Sequence, residues 1–289
     1  GHKVIKDNHI GDWGTQFGMV TWAWKKGVDE ERLETEPLQE LLRLYRTASD
    51  ASKEDVGTKE ECRAELVKLQ KGDPENKAIW ERCLALSRKG LNQIYDRLDV
   101  SFDHWMGESA YNDDLAPLVE QLIADDLARE SDGAICIFSN ETGNPKHDPF
   151  KINRDGVWQD FPMMIRKSDG AFNYATTDIA TVQHRVKEWN ANHIWYVVDF
   201  RQGGHFSQLF DTSKRLGHEE VNLVHVAFGT ILGKDGKPLK TRAGDLPQLE
   251  DVLNDAVKAA QIVVDEKSHL ETAEEKAALA ELIGVNSVK

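Results

Sequence analysis

The chain has 289 residues, 40% of them hydrophobic and 30% charged, with a formal net charge of −14 at pH 7. That length allows one large domain or two ordinary ones with a buried core. The charge excludes a protein whose whole surface grips nucleic acid, and the apolar runs are too short to span a bilayer.

In chain order, Val4 and Ile5 read as the end of a strand, and Gly11-Asp12-Trp13-Gly14 as a tight connection into a short helix. From about Asp29 to Leu98 the pattern is helical and heavily charged, with Leu38, Leu41, Leu42 and Tyr45 on one face. Thr58 and Glu61 fit a capping box, and Asp73-Pro74 opens a second long helix through Ile79, Cys83, Leu86 and Ile94. This stretch carries no chemistry of its own and reads as a solvated helical insertion.

Leu98 to Asp103 alternates as a strand does, and a helix through Leu115, Leu118, Leu122 and Leu127 follows. Ala134 to Phe138 is a buried-strand run. Met163 to Arg166 is a strand, with Ser168-Asp169-Gly170 as its turn. Thr177 is expected to cap a helix carrying Ile179, Val182, Val186 and Trp189. Ile194–Val198 is a strand, Phe206–Leu216 a helix closed by Gly217, and Leu223–Phe228 a strand. This alternation predicts an α/β fold with a doubly wound parallel sheet and a helical insertion. After Asp245-Leu246-Pro247 the chain reads as helical. The three cysteines, Cys62, Cys83 and Cys136, lack metal spacing and are expected as reduced thiols in a cytoplasmic setting. No histidine pair predicts a metal.

The candidate chemistry lies at the carboxyl edge of the expected sheet, where such folds bind ligands. Tyr174, Asp178, Gln202 and His205 converge there, the first three supplying a phenol, a carboxylate and an amide suited to a small planar cation, and His205 a cap or phosphate contact. Each has a plainer explanation, Asp178 as a first-turn acid favouring the helix dipole and His205 as a structural histidine. Gly203-Gly204 allows close backbone approach to a ligand, and a plain turn accounts for it equally. Gly233 to Gly244 holds Lys234, Lys237, Lys240 and Arg242, fit either for polyphosphate or for a solvated turn.

Five segments taken together, Asp7 to Gly18, Gly107-Glu108-Ser109, Tyr174 to Ala180, Asp199 to Phe206, and His225 to Gly244, resemble arginyl-tRNA synthetases, which are class I synthetases. The resemblance implies that Tyr174 and Asp178 line the arginine pocket, that Gln202 also contacts the amino acid, and that His205, with Gly203 and Gly204, lies at the ATP site. Lys237 and Lys240 stand where class I enzymes carry Lys-Met-Ser-Lys-Ser, here Lys237-Pro238-Leu239-Lys240-Thr241-Arg242. The implied activity is ATP-dependent activation of arginine and its transfer to cognate tRNA. ATP with Mg2+ is substrate, no bound cofactor is implied, and arginine and tRNA are the partners.

The class I His-x-Gly-His signature does not occur in the sequence. The chain is therefore expected to be a catalytic-region piece, inactive in isolation. A truncated synthetase-like binding or regulatory module is the alternative. A different nucleotide-binding doubly wound enzyme is a further one. Residues 1–28 and 98–245 are expected to form a partial catalytic domain, 29–97 the insertion, and 246–289 a helical segment leading toward an anticodon-binding domain.

Overall fold

The computed structural model describes residues 1–141, 143–229 and 249–289. The chain divides into two compact units, one of Gly1–Gly107 with Lys240–Lys289 and the other of Glu108–Leu239. The elements, in chain order, are α1 (Thr15–Gly27), α2 (Glu30–Thr35), α3 (Pro37–Glu54), α4 (Val56–Gln70), α5 (Pro74–Arg97), α6 (Asn112–Ala124), β1 (Ala128–Ser131), β2 (Ala134–Ile137), β3 (Lys151–Arg154), β4 (Val157–Asp160), β5 (Met163–Arg166), α7 (Tyr174–Lys187), β6 (His193–Asp199), α8 (Gly203–Arg215), β7 (Asn222–Phe228), α9 (Leu249–Lys267) and α10 (Ala273–Val288).

The first unit is helical. Trp22 and Trp24 of α1 share a buried cluster with Leu33, Leu44, Ala48, Cys62, Ile79 and Cys83. On α3 the fully buried positions are Glu40, Leu44 and Ala48, spaced four apart, while the expected Leu38-Leu41-Leu42-Tyr45 face is only half-buried. Glu40 tolerates burial because it accepts from the Arg43 guanidinium and the Asp29 amide. A Cβ at Gly18 would fall on the Cys62 carbonyl oxygen, so glycine is what lets α1 and α4 approach this closely.

Three expectations change here. Val4 and Ile5 lie outside any strand, and an isolated parallel bridge, Asp7 to His104, is the one pairing nearby among the described residues. Leu98–Asp103 is not a strand either. Asp99 takes a positive φ of 51°, and Phe102 packs edge-on to Tyr95 and Trp105. The capping box at Thr58 gives way to Asp55, which caps α4 by accepting from the Thr58 amide, while Glu61 accepts from the Trp22 indole. Asp73 caps α5 as expected.

In the second unit, β2 is buried throughout and pairs antiparallel with β1 and β5. β3 and β4 form a separate hairpin. β6 and β7 run parallel, Tyr196 facing His225 and Asp199 facing Phe228, with α8 as the crossover between them. The fold is thus of the α/β class with a helical insertion. Within it β5, which the alternation would set beside β6, belongs to the antiparallel sheet, because Arg166 folds back on Phe172 through the Ser168-Asp169-Gly170 turn. All three cysteines are free and buried. No described helix is long and apolar enough to cross a membrane.

Candidate functional site

The site belongs to α7 and α8, in the second unit. Asn173, not Thr177, caps α7, accepting from the Tyr174 amide. Thr177 is instead buried in the helix, and its carbonyl accepts from the Thr181 hydroxyl. The difference has a chemical consequence. Asp178 stands beyond the first turn, where the helix dipole no longer explains an acid. A neighbouring anchor fixes the helix start, as the Thr176 hydroxyl donates to the Ile165 carbonyl of β5.

β6 ends at Asp199, whose carboxylate caps a 3-10 turn, Phe200–Gln202, and takes a two-pronged contact from Arg201 at 2.9 Å. Gln202 then occupies the N-cap position of α8 without making a side-chain cap bond. Gly203 closes the 3-10 turn and, with Gly204, opens α8. Gly203 has φ of −54°. A Cβ there would come no closer than 3.8 Å to His225, and one at Gly204 would meet nothing within 4 Å. Neither backbone strain nor packing among the described residues requires these glycines. The Gly203 amide donates to the Phe200 carbonyl of the preceding 3-10 turn, whereas the amides after it lie in a first helical turn, where the helix offers no partner of its own, and glycine at 204 leaves the approach to them clear.

His205, in the first turn of α8, reaches Asp178 of α7. Its Nε2 lies 2.6 Å from Oδ2 of the carboxylate, with the two side chains only 10% and 18% exposed. The Tyr174 ring meets the imidazole edge-on, centroids 4.9 Å apart, and is itself 56% exposed. Tyr174, Asp178 and His205 are therefore one contiguous group. Gln202 is close in sequence, yet among the described residues it makes no hydrogen bond to this group. Lys237 and Lys240 lie outside the described residues.

Beneath this group sit residues that the sequence reading did not single out. Phe206 packs on His205, Tyr196 and His225 at 5.3, 4.9 and 4.7 Å. His225 is tied to the Val198 carbonyl at 3.0 Å. Arg185 of α7 is buried over the Tyr196 ring. Burial lifts the Tyr196 phenol well above the ordinary tyrosine range, with the Asp178 charge acting in the same direction and Arg185 opposing both. The phenol stays neutral and serves as floor. Its signal was available, because Ile194 and Tyr196 alternate with Trp195 and Val197 along β6, and period-two alternation separates the two faces.

A second constellation joins two of the motif segments in the first unit. The Asp7 carboxylate accepts from the Met106 amide at 3.2 Å, and His9 Nδ1 lies 2.9 Å from the Met106 carbonyl. Asp12 is buried, its carbonyl accepts from the Trp80 indole at 2.8 Å, and a Cβ at Gly107 would collide with its carboxylate. The contact accounts for a glycine at 107 by space alone. Among the described residues no cluster of three metal-ligating side chains occurs.

The family model for tRNA synthetases class I (R), catalytic domain, matches residues 1–289. An arginine–tRNA ligase from Frankia casuarinae is 40% identical over all of this chain and 49% of its own length. One from Rhodopirellula baltica is 35% identical over all of this chain and 54% of its own. Among solved structures, arginyl-tRNA synthetase from Plasmodium falciparum superposes with a TM-score of 0.71 at 24% identity, covering 98% of this chain and 44% of that one. The Thermus thermophilus enzyme gives 0.69 at 17%, covering 100% and 51%. The chain spans about half the length of the curated relatives it matches. By the family match over all its residues, it belongs to the arginyl-tRNA synthetase family of class I catalytic domains.

Proposed function

We propose that the α7–α8 site holds the side chain of arginine in an enzyme that activates arginine with ATP and passes it to tRNA. The observation that carries this reading is the Asp178 carboxylate, nearly withdrawn from water and already held against an imidazole at 2.6 Å, with Tyr174 alongside. A carboxylate so placed is costly without a hydrogen-bonded cationic partner, and a guanidinium supplies one in fork geometry. Gln202, at the mouth of α8, is the proposed contact to the rest of the amino acid. Lysine or citrulline would pair the carboxylate poorly, so selectivity follows from desolvation without an editing step.

The chemistry is in-line attack of the arginine carboxylate on the α-phosphate, which requires positioning and charge stabilisation more than a protein nucleophile. The bare backbone of Gly203 and Gly204 is proposed to lie against ATP, with the helix-start amides beyond Gly203 facing its phosphates, and His205 is proposed for the boundary between the two substrates. Lys237 and Lys240 are proposed to offset charge on the departing pyrophosphate. Mg2+ arrives with ATP, and the cytoplasm is the proposed setting. In terms of role, residues 1–28 and 98–245 are proposed as catalytic, 29–97 as insertion and 246–289 as the lead toward anticodon binding.

The test is Asp178→Ala in the full-length enzyme. Arginine-dependent pyrophosphate exchange is expected to fall at least about 100-fold, the cost of losing a buried charged partner. Unchanged exchange would refute the assignment. The 289 residues alone, without a His-x-Gly-His motif, are proposed to bind arginine but not to charge tRNA, and normal aminoacylation by them would contradict that.

A further inference from the structure

We infer that His205 is a positioning residue for the Asp178 carboxylate, and through it for the guanidinium, beyond its place beside ATP. The inference rests on the reading of Asp178 as the arginine contact. The imidazole is held on two sides, by the edge of Tyr174 at 4.9 Å and by Phe206 at 5.3 Å, with interplanar angles of 65° and 63°. Such a ring has little freedom to turn. Its Nε2–H donates to Oδ2 at 2.6 Å, and both side chains are nearly buried, so the carboxylate plane is fixed with it.

The two oxygens of Asp178 are then unequal. Oδ2 is committed to His205, whereas Oδ1 accepts no hydrogen bond among the described residues. Each carboxylate oxygen offers two lone pairs, so Oδ2 can still accept a second donor while Oδ1 accepts freely. A guanidinium presents two parallel N–H bonds in one plane and gains its full strength only when the carboxylate lies in that plane. An ammonium, a point donor, does not depend on that orientation. A carboxylate free to rotate would serve both cations alike. One locked by His205 favours the planar one.

The experiment measures arginine binding without ATP, by calorimetry on the chain, in His205→Phe, His205→Gln, Asp178→Asn and the Asp178→Asn/His205→Phe pair. Phenylalanine keeps the ring between Tyr174 and Phe206 and removes the donor. Glutamine removes the ring and keeps a donor. His205→Phe is expected to weaken arginine binding about tenfold, the loss of one charge-assisted hydrogen bond, and His205→Gln by much less. With Asp178→Asn in place, His205→Phe should add little, since a positioning residue has nothing left to position. If one histidine variant fails to fold, the other decides, as a tenfold loss in His205→Gln or wild-type affinity in His205→Phe overturns the inference. Full additivity in the double variant also overturns it and leaves the arginine site standing. Binding indifferent to Asp178→Asn would overturn the site reading itself, and the inference with it.

Discussion

At the scale of single residues, Gly204 separates structural from ligand-based reasons for a glycine. A methyl group there meets nothing within 4 Å, and the residue lies in the first turn of α8. Gly204→Ala should therefore fold as well as the parent, or more stably by up to about 1 kcal/mol from the helix preference of alanine. If ATP phosphates approach this backbone, the KM for ATP in pyrophosphate exchange should nonetheless rise about tenfold in the full-length enzyme. A wild-type KM would remove Gly204 from the ATP site. Sequence placed Tyr174, Asp178 and His205 at one edge, but not the bond between the last two. They are 27 residues apart, and only the packing of α7 on α8 sets their distance. The wrong cap for α7 has a local cause. Its first turns bury Thr176 and Thr177, polar residues that do not announce a core face, so the apolar pattern begins late, at Ile179.

At the scale of elements, the junction of α1, α4 and α5 turns on Glu65. Burial acts to raise its carboxyl, yet hydrogen bonds from Lys25, Lys68 and Asn76 outweigh that and hold it at about 2, below the usual 4.5. A carboxyl lowered on folding stabilises fully above its unfolded value and loses that contribution as pH falls through the folded one. The first unit should thus lose on the order of 2 kcal/mol between about pH 4.5 and 2 from this group, discounted for the half-exposed Lys68. Glu65→Gln should reduce the acid dependence of the unfolding midpoint over that window, followed by circular dichroism. An unaltered profile would show the network to be idle. The helices here were legible because Asp73-Pro74 and the charged, four-spaced pattern are strong local signals. The β1–β2 and β3–β4 hairpins were missed although Asp132-Gly133 and Asp155-Gly156 mark them. Both pairs take positive φ at each position, the conformation that two-residue hairpin turns demand. Strands of four residues are simply too short to show much alternation around those turns.

At the scale of the whole molecule, the α/β class was legible from the order of elements, whereas the split into two units was not. Arg97 at the end of α5 binds Asn254 of α9 and Glu281 of α10, at separations of 157 and 184 residues that no local pattern reveals. The free cysteines provide a way to follow the two units independently. Burial raises all three thiols, Cys83 to about 12, so none reacts as a thiolate while its surroundings stay closed. Cys62 and Cys83 share one core cluster in the first unit, and Cys136 lies in the second. Alkylation in mild denaturant should accordingly modify Cys62 and Cys83 at one common rate and Cys136 at its own, as mass spectrometry of the labelled peptides would register. These three buried side chains thus act as built-in clocks for the opening of each core.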